Sequence, residues 1–442
     1  MAFLIGVLVM VFGIAFSIAF HEVGHLVPAK AFGVKCTQYM VGFGRTLWST
    51  RRGETEYGIK LIPLGGYVRM LGMFPPKPGR PAREDTTGRW SLMIEQARSD
   101  SYKEIGPQDA DRLFYQRSVL KRLVIMLGGP FMNLVLAVIL LTVVVSGFGI
   151  TQQTPTVSVV SKCVLPASAP LSQTCSAADK EAPAAAAGLA PGDVIKEFNG
   201  TAVKSWEQVR DGIRANGNKP VSLAIERAGQ RQVLTVTPIF DQRQALDDSG
   251  NPIIGPDGKP KLVPVGFLGL SPTLARVPQP LSAVPAIVGT AVAQTAGVVL
   301  RIPEKMVGVV QAIGGDERDP NGPVSIVGVT RFAGEVASAE GSVEAPISFW
   351  DRLSDMLFLL ASLNLALFVF NLIPLLPLDG GHAAGAVWEG LRRMVAKLRH
   401  LPDPGPVDVA KALPLAYGVA SVLIVMSALL IYADIVRPIQ LG

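Results

Sequence analysis

Charge is what this sequence has least of. Of 442 residues, 17% are Asp, Glu, Lys or Arg and 49% are hydrophobic, whereas soluble domains carry about a quarter charged residues. That excludes a chain built only of soluble domains and points to membrane segments with some soluble mass attached. Cysteine is also scarce: Cys36, Cys163 and Cys175 include no CxxC pair, which argues against a thiolate metal site. There are four histidines, no internal repeat, and no low-complexity tract beyond the Ala-rich run 182–187. The net charge of +6 is modest and follows from an asymmetry between loops, so nucleic acid is not read as a partner.

Long uncharged runs are what is present instead. A helix needs about 20 apolar residues to cross a bilayer, and Met1–Phe20, Leu123–Ile150, Met356–Leu378 and Leu413–Ala433 meet that length. Met1–Phe20 has no basic n-region and no small-x-small cleavage site, so it reads as a span rather than a signal peptide. Lys and Arg crowd the stretch Leu26–Leu120 and recur in Gly380–Ala412, while Thr151–Ser161 has no charge. The positive-inside rule then puts both basic loops in the cytoplasm and the segment between the second and third spans outside. Val277–Leu300 is also uncharged, but Pro278, Pro280 and Pro285 weaken it, and it reads as interfacial or re-entrant. With this sidedness Cys163 and Cys175 share the external face, where thiols oxidise, and form the candidate disulfide; Cys36 is cytoplasmic.

Directly after the first uncharged run comes Phe20-His21-Glu22-Val23-Gly24-His25-Leu26. Residues four apart stack on one helix face, so His21 and His25 can hold one ion, with Glu22 placed to take a proton from water. A zinc site of this kind takes three protein ligands and leaves one position open. His382 and His400 are remote, so a carboxylate is the natural third ligand. Asp379, in "NLIPLLPLDGGH", ends the third uncharged run at the same cytoplasmic depth; its plainer reading is a turn residue before Gly380-Gly381. Pro374 and Pro377 break that helix inside the bilayer, where irregular backbone survives only against protein or a cavity. Asn371 and Asn364 lie upstream; Asn371 is the candidate substrate contact, and inter-helix bonding is the alternative for both.

These residues together resemble the site-2 protease family of intramembrane zinc metalloproteases. The HExxH and the later Asn-x-x-Pro…Leu-Asp-Gly carry the likeness. So do "TEYGIKLIPLGGYVRMLGM", "GGPFMNLVLA" and "GPVSIVG". The RseP-like bacterial branch is the nearest in pattern, and "FSIAFHEVGHLVPAKAFGVKCTQYMVGFG" is similar to its actinobacterial members. The resemblance implies zinc on His21, His25 and Asp379, Glu22 as catalytic residue and Asn371 touching substrate. It departs in the spacing of Pro374 and Pro377 and in having one PDZ-like region where that branch has two.

Residues 55–73 read from below as two short apolar strands around the turn signal "PLGG". A hairpin beside the active site can hold an unwound substrate by strand addition, with Gly65, Gly66 and Tyr67 as its substrate contacts; a structural membrane-surface hairpin is the alternative. Further on, "AAAAGLAPGDVIKEFNG" with an amphipathic helix near Trp206–Ile213 closely resembles a PDZ domain. Such a domain binds a peptide or substrate ectodomain, or serves as a steric cover. Residues 241–262 read as a polar hairpin insert, and 74–118 as a flexible loop.

The expected fold class is a mainly α membrane protein, with four transmembrane helices and a membrane-associated β-hairpin, plus an external α+β PDZ-like domain. The first transmembrane helix, with HExxH, occupies 1–25. A cytoplasmic segment with a re-entrant hairpin at about 40–73 occupies 26–120, the second span 121–150, and the PDZ-like domain 151–275. An external or interfacial helical segment follows at 276–352, the third span with its LDG motif at 353–384, a cytoplasmic loop at 385–412 and the fourth span at 413–434. The resemblance implies a multi-pass plasma-membrane protease with Zn2+, its active site toward the cytoplasm. Its expected substrate in the bilayer is a single-pass membrane protein such as an anti-sigma factor, cut in regulated intramembrane proteolysis and signal transduction. A catalytically inactive PDZ-containing adaptor is the first alternative, and a transporter the second.

Overall fold

The uncharged amino-terminal run opens one helix, α1 (Ala2–Ala31), whose turns before His21 are apolar on all sides as a bilayer requires. It outlasts the expected boundary at residue 25, so the histidines sit within the helix rather than at its end. Pro28 falls in the last turn, and Gly33, at φ +76°, turns the chain away. The structure is a computed structural model. It describes residues 1–442 except 76–93, 97–98, 100, 102, 104, 167–173, 177–178, 248–251, 256–258, 321, 340–346 and 440–442. The chain divides into two units, Met1–Phe148 with Gln279–Gly442, and Gly149–Pro278.

In the first unit, among the described residues, five helices are long and apolar enough to cross a membrane. They are Ala2–Ala31, Val119–Phe148, Leu281–Leu300, Phe349–Asn371 and Val409–Val436. That is one more than the four expected by length and composition. The addition is the segment read as interfacial, and its prolines lie before or inside the first turn of the helix, where a missing N–H costs nothing.

A long hairpin follows α1: β1 (Cys36–Arg52) and β2 (Thr55–Met70). The turn lies at Gly53, φ +61°, and not at "PLGG", which runs inside β2. There the strand bends, so Tyr39, Met40 and Val41 pair with both ends of β2: with Tyr57, Gly58 and Ile59, and with Val68, Tyr67 and Gly66. The expected flexible loop 74–118 lies partly outside the described residues. Its last part is packed: Lys35 bonds Asp109 at 2.8 Å, and Arg112 grips Glu54 with two bonds of 2.7 Å.

Helix α2 (Val119–Thr142), capped by Ser118, continues as a π-helical turn to Phe148. α1 and α2 touch backbone to backbone at Gly24 and Gly128; a Cβ on either would press into the other's carbonyl oxygen. Small residues allow such approach where lipid offers no hydrophobic drive. Leu26, Ala29, Val34, Cys36, Met70, Phe114, Ile125 and Met126 form one buried cluster that locks the hairpin onto α1 and α2.

In the second unit, β3 (Ile150–Val160) is followed by a short helix α3 (Pro183–Ala186), β4 (Val194–Phe198), β5 (Thr201–Ala202), α4 (Trp206–Ala215), β6 (Val221–Arg227), β7 (Gln230–Val236), β8 (Ile239–Gln244), β9 (Leu262–Phe267) and β10 (Leu270–Val277). The sheet order is β10-β3-β4-β6-β7 with β5 beside β4, and β8 and β9 form a separate hairpin. Trp206, Val209 and Ile213 of α4 close the core over Ile195, Leu223 and Ile225. Cys163 and Cys175 are joined in a disulfide.

The first unit resumes with α5 (Val284–Leu300), α6 (Ile302–Gly314), α7 (Ile326–Ser338), α8 (Phe349–Asn371), α9 (Asp379–Leu398) and α10 (Leu413–Val436). Two expectations change here. α8 ends at Asn371, so the LDG motif does not lie on the third span, and the first half of the expected loop 385–412 is α9. Proline disfavours helix in the residue before it, so Pro374 and Pro377 end one helix and separate it from the next. Ser325 caps α7 and donates its N–H to the buried Asp434 of α10 at 2.6 Å.

Candidate metal centre and active site

His21 and His25 lie one turn apart on α1, with Nε2 atoms 3.2 Å from each other. Asp379 is the first residue of α9, where a carboxylate also meets the positive end of the helix dipole. Its Oδ2 lies 3.2 Å from Nε2 of His21 and 3.4 Å from Nε2 of His25. α9 can start there because the next two residues are glycines: a Cβ at 380 would press on Ile373 O, and one at 381 would come 2.5 Å from Leu376 N.

These three atoms fit zinc. A tetrahedral zinc with bonds of about 2.0–2.1 Å keeps its ligand atoms about 3.3 Å apart, which is the spacing found. Among the described residues His21, His25 and Asp379 are the group of His, Cys, Asp or Glu that meets this condition. Nδ1 of His25 lies 2.7 Å from the carbonyl oxygen of Ile125, so it donates its proton there and leaves Nε2 free for metal. α2 leaves room as well. A Cβ at Gly129 would press into Nε2 of His25 and lie 2.8 Å from Nε2 of His21.

Glu22 is buried on the same turn. The far end of β2 lies against it: a Cβ at Gly66 would come 2.8 Å from Cγ and 3.1 Å from Oε1 of Glu22. Gly65, at φ +111°, packs under the ring of Phe43, and Tyr67 stacks on that ring and donates to Gln38 at 3.3 Å. Of the three expected substrate contacts on the hairpin, Gly66 is therefore the one placed beside the catalytic candidate. Tyr39 ties β1 to α1 by donating to Ala19 O at 2.7 Å.

Asn371 is the last residue of α8, and its side chain makes no hydrogen bond among the described residues. Asn364 is fully buried and donates to Ser17 Oγ at 2.9 Å and Leu360 O at 2.8 Å, which makes it a bond between α8 and α1. Sequence reasoning missed Gly129 and Asn133, both inside the quoted "GGPFMNLVLA". The available signal was spacing: Ile125, Gly129 and Asn133 recur every four residues, along one stripe of α2.

Comparison with known proteins gives the family. The pattern described as peptidase family M50 matches residues 9–400. The zinc metalloprotease Rip1 of Mycobacterium tuberculosis is 32% identical over 451 residues, spanning 100% of both chains. Rip1 of Mycolicibacterium smegmatis is 33% identical over 456 residues, again 100% of both. The metalloprotease MmpA of Caulobacter vibrioides is 27% identical over 394 residues, 88% of each chain.

Proposed function

The chain belongs to peptidase family M50 and is an intramembrane zinc metalloprotease, and from that premise we propose which residues do the work. His21, His25 and Asp379 hold the zinc, and Glu22 is the general base. When bound, zinc supplies Lewis acidity that acidifies water and polarises a carbonyl. Glu22 takes a proton from the attacking water and returns it to the amide nitrogen as the C–N bond breaks. The observation that carries this assignment is the triangle of ligand atoms at 3.2, 3.2 and 3.4 Å.

The substrate is a single-pass membrane protein, of the anti-sigma-factor kind, with its amino terminus in the cytoplasm. Its scissile stretch is held extended along the 66–70 end of β2, whose outer side pairs with no strand among the described residues. Gly66 brings that edge to Glu22. A helical substrate hides its peptide bonds in its own hydrogen bonds, and strand addition exposes one. Asn371 is kept as a substrate contact made when substrate is present.

The active site faces the cytoplasm across the plasma membrane, and the 149–278 unit lies outside as a PDZ-like domain. The disulfide in that unit supports this side, because such bonds persist in oxidising compartments, whereas Cys36 is free. There the domain takes a peptide or ectodomain.

The test is to purify wild type and Glu22→Gln in detergent, measure zinc, and incubate each with a tagged single-span protein. New termini by mass spectrometry from wild type alone, at equal zinc content, are expected. Equal cleavage by both would remove Glu22 as the base.

A further inference from the structure

Two imidazoles that bind one metal through Nε2 must each carry their proton on Nδ1, and a neighbouring acceptor fixes it there. For His25 that acceptor is the carbonyl oxygen of Ile125 at 2.7 Å. The corresponding neighbour of His21 is the carboxamide of Asn133, 3.0 Å from Nδ1. We propose that Asn133 is a positioning residue of the metal centre: its amide oxygen accepts the Nδ1–H of His21 and holds that imidazole with Nε2 toward the metal. This rests on the reading of His21, His25 and Asp379 as ligands.

Nδ2 of Asn133 is the amide atom turned toward His21. Half a turn about χ2 exchanges the amide nitrogen and oxygen without changing shape, and only the hydrogen-bond network tells them apart. With nitrogen inward, Nδ1 must accept, and the imidazole proton moves to Nε2, into the 3.2 Å gaps to His25 and Asp379. With oxygen inward, Nε2 is free. A site that holds zinc selects the second arrangement.

The placement is specific. α1 and α2 meet along a register in which Ile125 serves His25, Asn133 serves His21, and Gly129, midway between them, leaves space beside both Nε2 atoms. Asn133 is fully buried. His21 is its side-chain partner, and its other amide atom has none among the described residues. Asn364, also fully buried, is the contrast, since it bonds the hydroxyl of Ser17 and a carbonyl of its own helix.

The experiment measures zinc affinity of the full chain in detergent by competition with a chromogenic chelator. Wild type is compared with Asn133→Leu, Asn133→Asp, Asn364→Leu and His21→Ala. Asn133→Leu removes the acceptor at similar volume and is expected to weaken zinc about 10- to 100-fold. Asn133→Asp keeps an acceptor and is expected to stay within about threefold, with an unchanged cobalt(II) absorption band. Asn364→Leu loosens a buried inter-helix bond without touching a ligand, and is expected to leave affinity unchanged. Wild-type affinity in a folded Asn133→Leu protein overturns the proposal, and so does an equal loss in Asn364→Leu. Should Asn133→Leu not elute as a single species, a tenfold or greater loss in Asn133→Asp overturns it. Zinc bound as tightly by His21→Ala as by wild type would instead remove the ligand assignment beneath it.

Discussion

Adding one methyl group at Gly129 separates the metal-centre reading from a merely structural one. In Gly129→Ala the new Cβ would press into Nε2 of His25, 2.6 Å from its Cε1 and 2.8 Å from Nε2 of His21. Non-bonded heavy atoms settle at about 3.5–4.0 Å, so α1 and α2 must separate by about 1 Å or the imidazoles must turn. A metal site tolerates distance errors of about 0.2 Å, and a misplacement of about 1 Å costs catalysis about a hundredfold. Helix propensity works the other way, since alanine is favoured over glycine by about 1 kcal/mol inside a helix. The variant should therefore fold, lose zinc stoichiometry, and cleave at least about a hundredfold more slowly. Alanine at Gly289 or Gly297, where a Cβ meets nothing within 4 Å, should change neither property. The assay is elemental analysis of zinc per chain alongside initial cleavage rates. A Gly129→Ala protein with full zinc and a wild-type rate would refute the claim that α2 walls the metal site.

Gly66→Ala places a Cβ 2.8 Å from Cγ of Glu22; it should lower the cleavage rate while leaving zinc content unchanged, read by the same two assays. Glu389 is buried and pairs with buried Arg122 on α2, while also accepting from Val407 N at 2.9 Å. Glu389→Ala strands the guanidinium and should cost about 3–5 kcal/mol, seen as a lower thermal midpoint in detergent. In the 149–278 unit, burial pushes the Asp193 carboxyl up, but the Arg227 guanidinium and the N–H of Ala190 outweigh it and hold the group below the usual range. Its contribution is then complete above the unfolded value of about 3.9 and lost as pH falls through the lower folded value. Limited proteolysis of this unit should accelerate below about pH 4 in wild type, and Asp193→Asn should show a smaller acid dependence.

Much of the site was legible because it obeys local periodicity. Four-residue spacing placed His21 and His25 on one face, and an uncharged run ending at an aspartate marked Asp379. The hairpin was legible as apolar strands but not in register. "PLGG" has turn composition, yet the chain turns at Gly53 and uses Gly65 and Gly66 to bend past Phe43 and Glu22. The three prolines near residue 280 weakened a spanning helix in sequence, although in the structure none of them lies beyond its first turn.

What the sequence determined by itself is the class of the molecule and the placing of His21 and His25 on one helix face, because hydropathy and HExxH spacing act over one or two helical turns. Only the tertiary structure decided that Asp379 opens a new helix, since that depends on Gly380 and Gly381 letting α9 start against the loop after α8. It alone decided that Ile125, Gly129 and Asn133 face the two imidazoles. That stripe follows from how closely α1 and α2 approach at Gly24 and Gly128, a contact between residues about a hundred positions apart that no local pattern encodes.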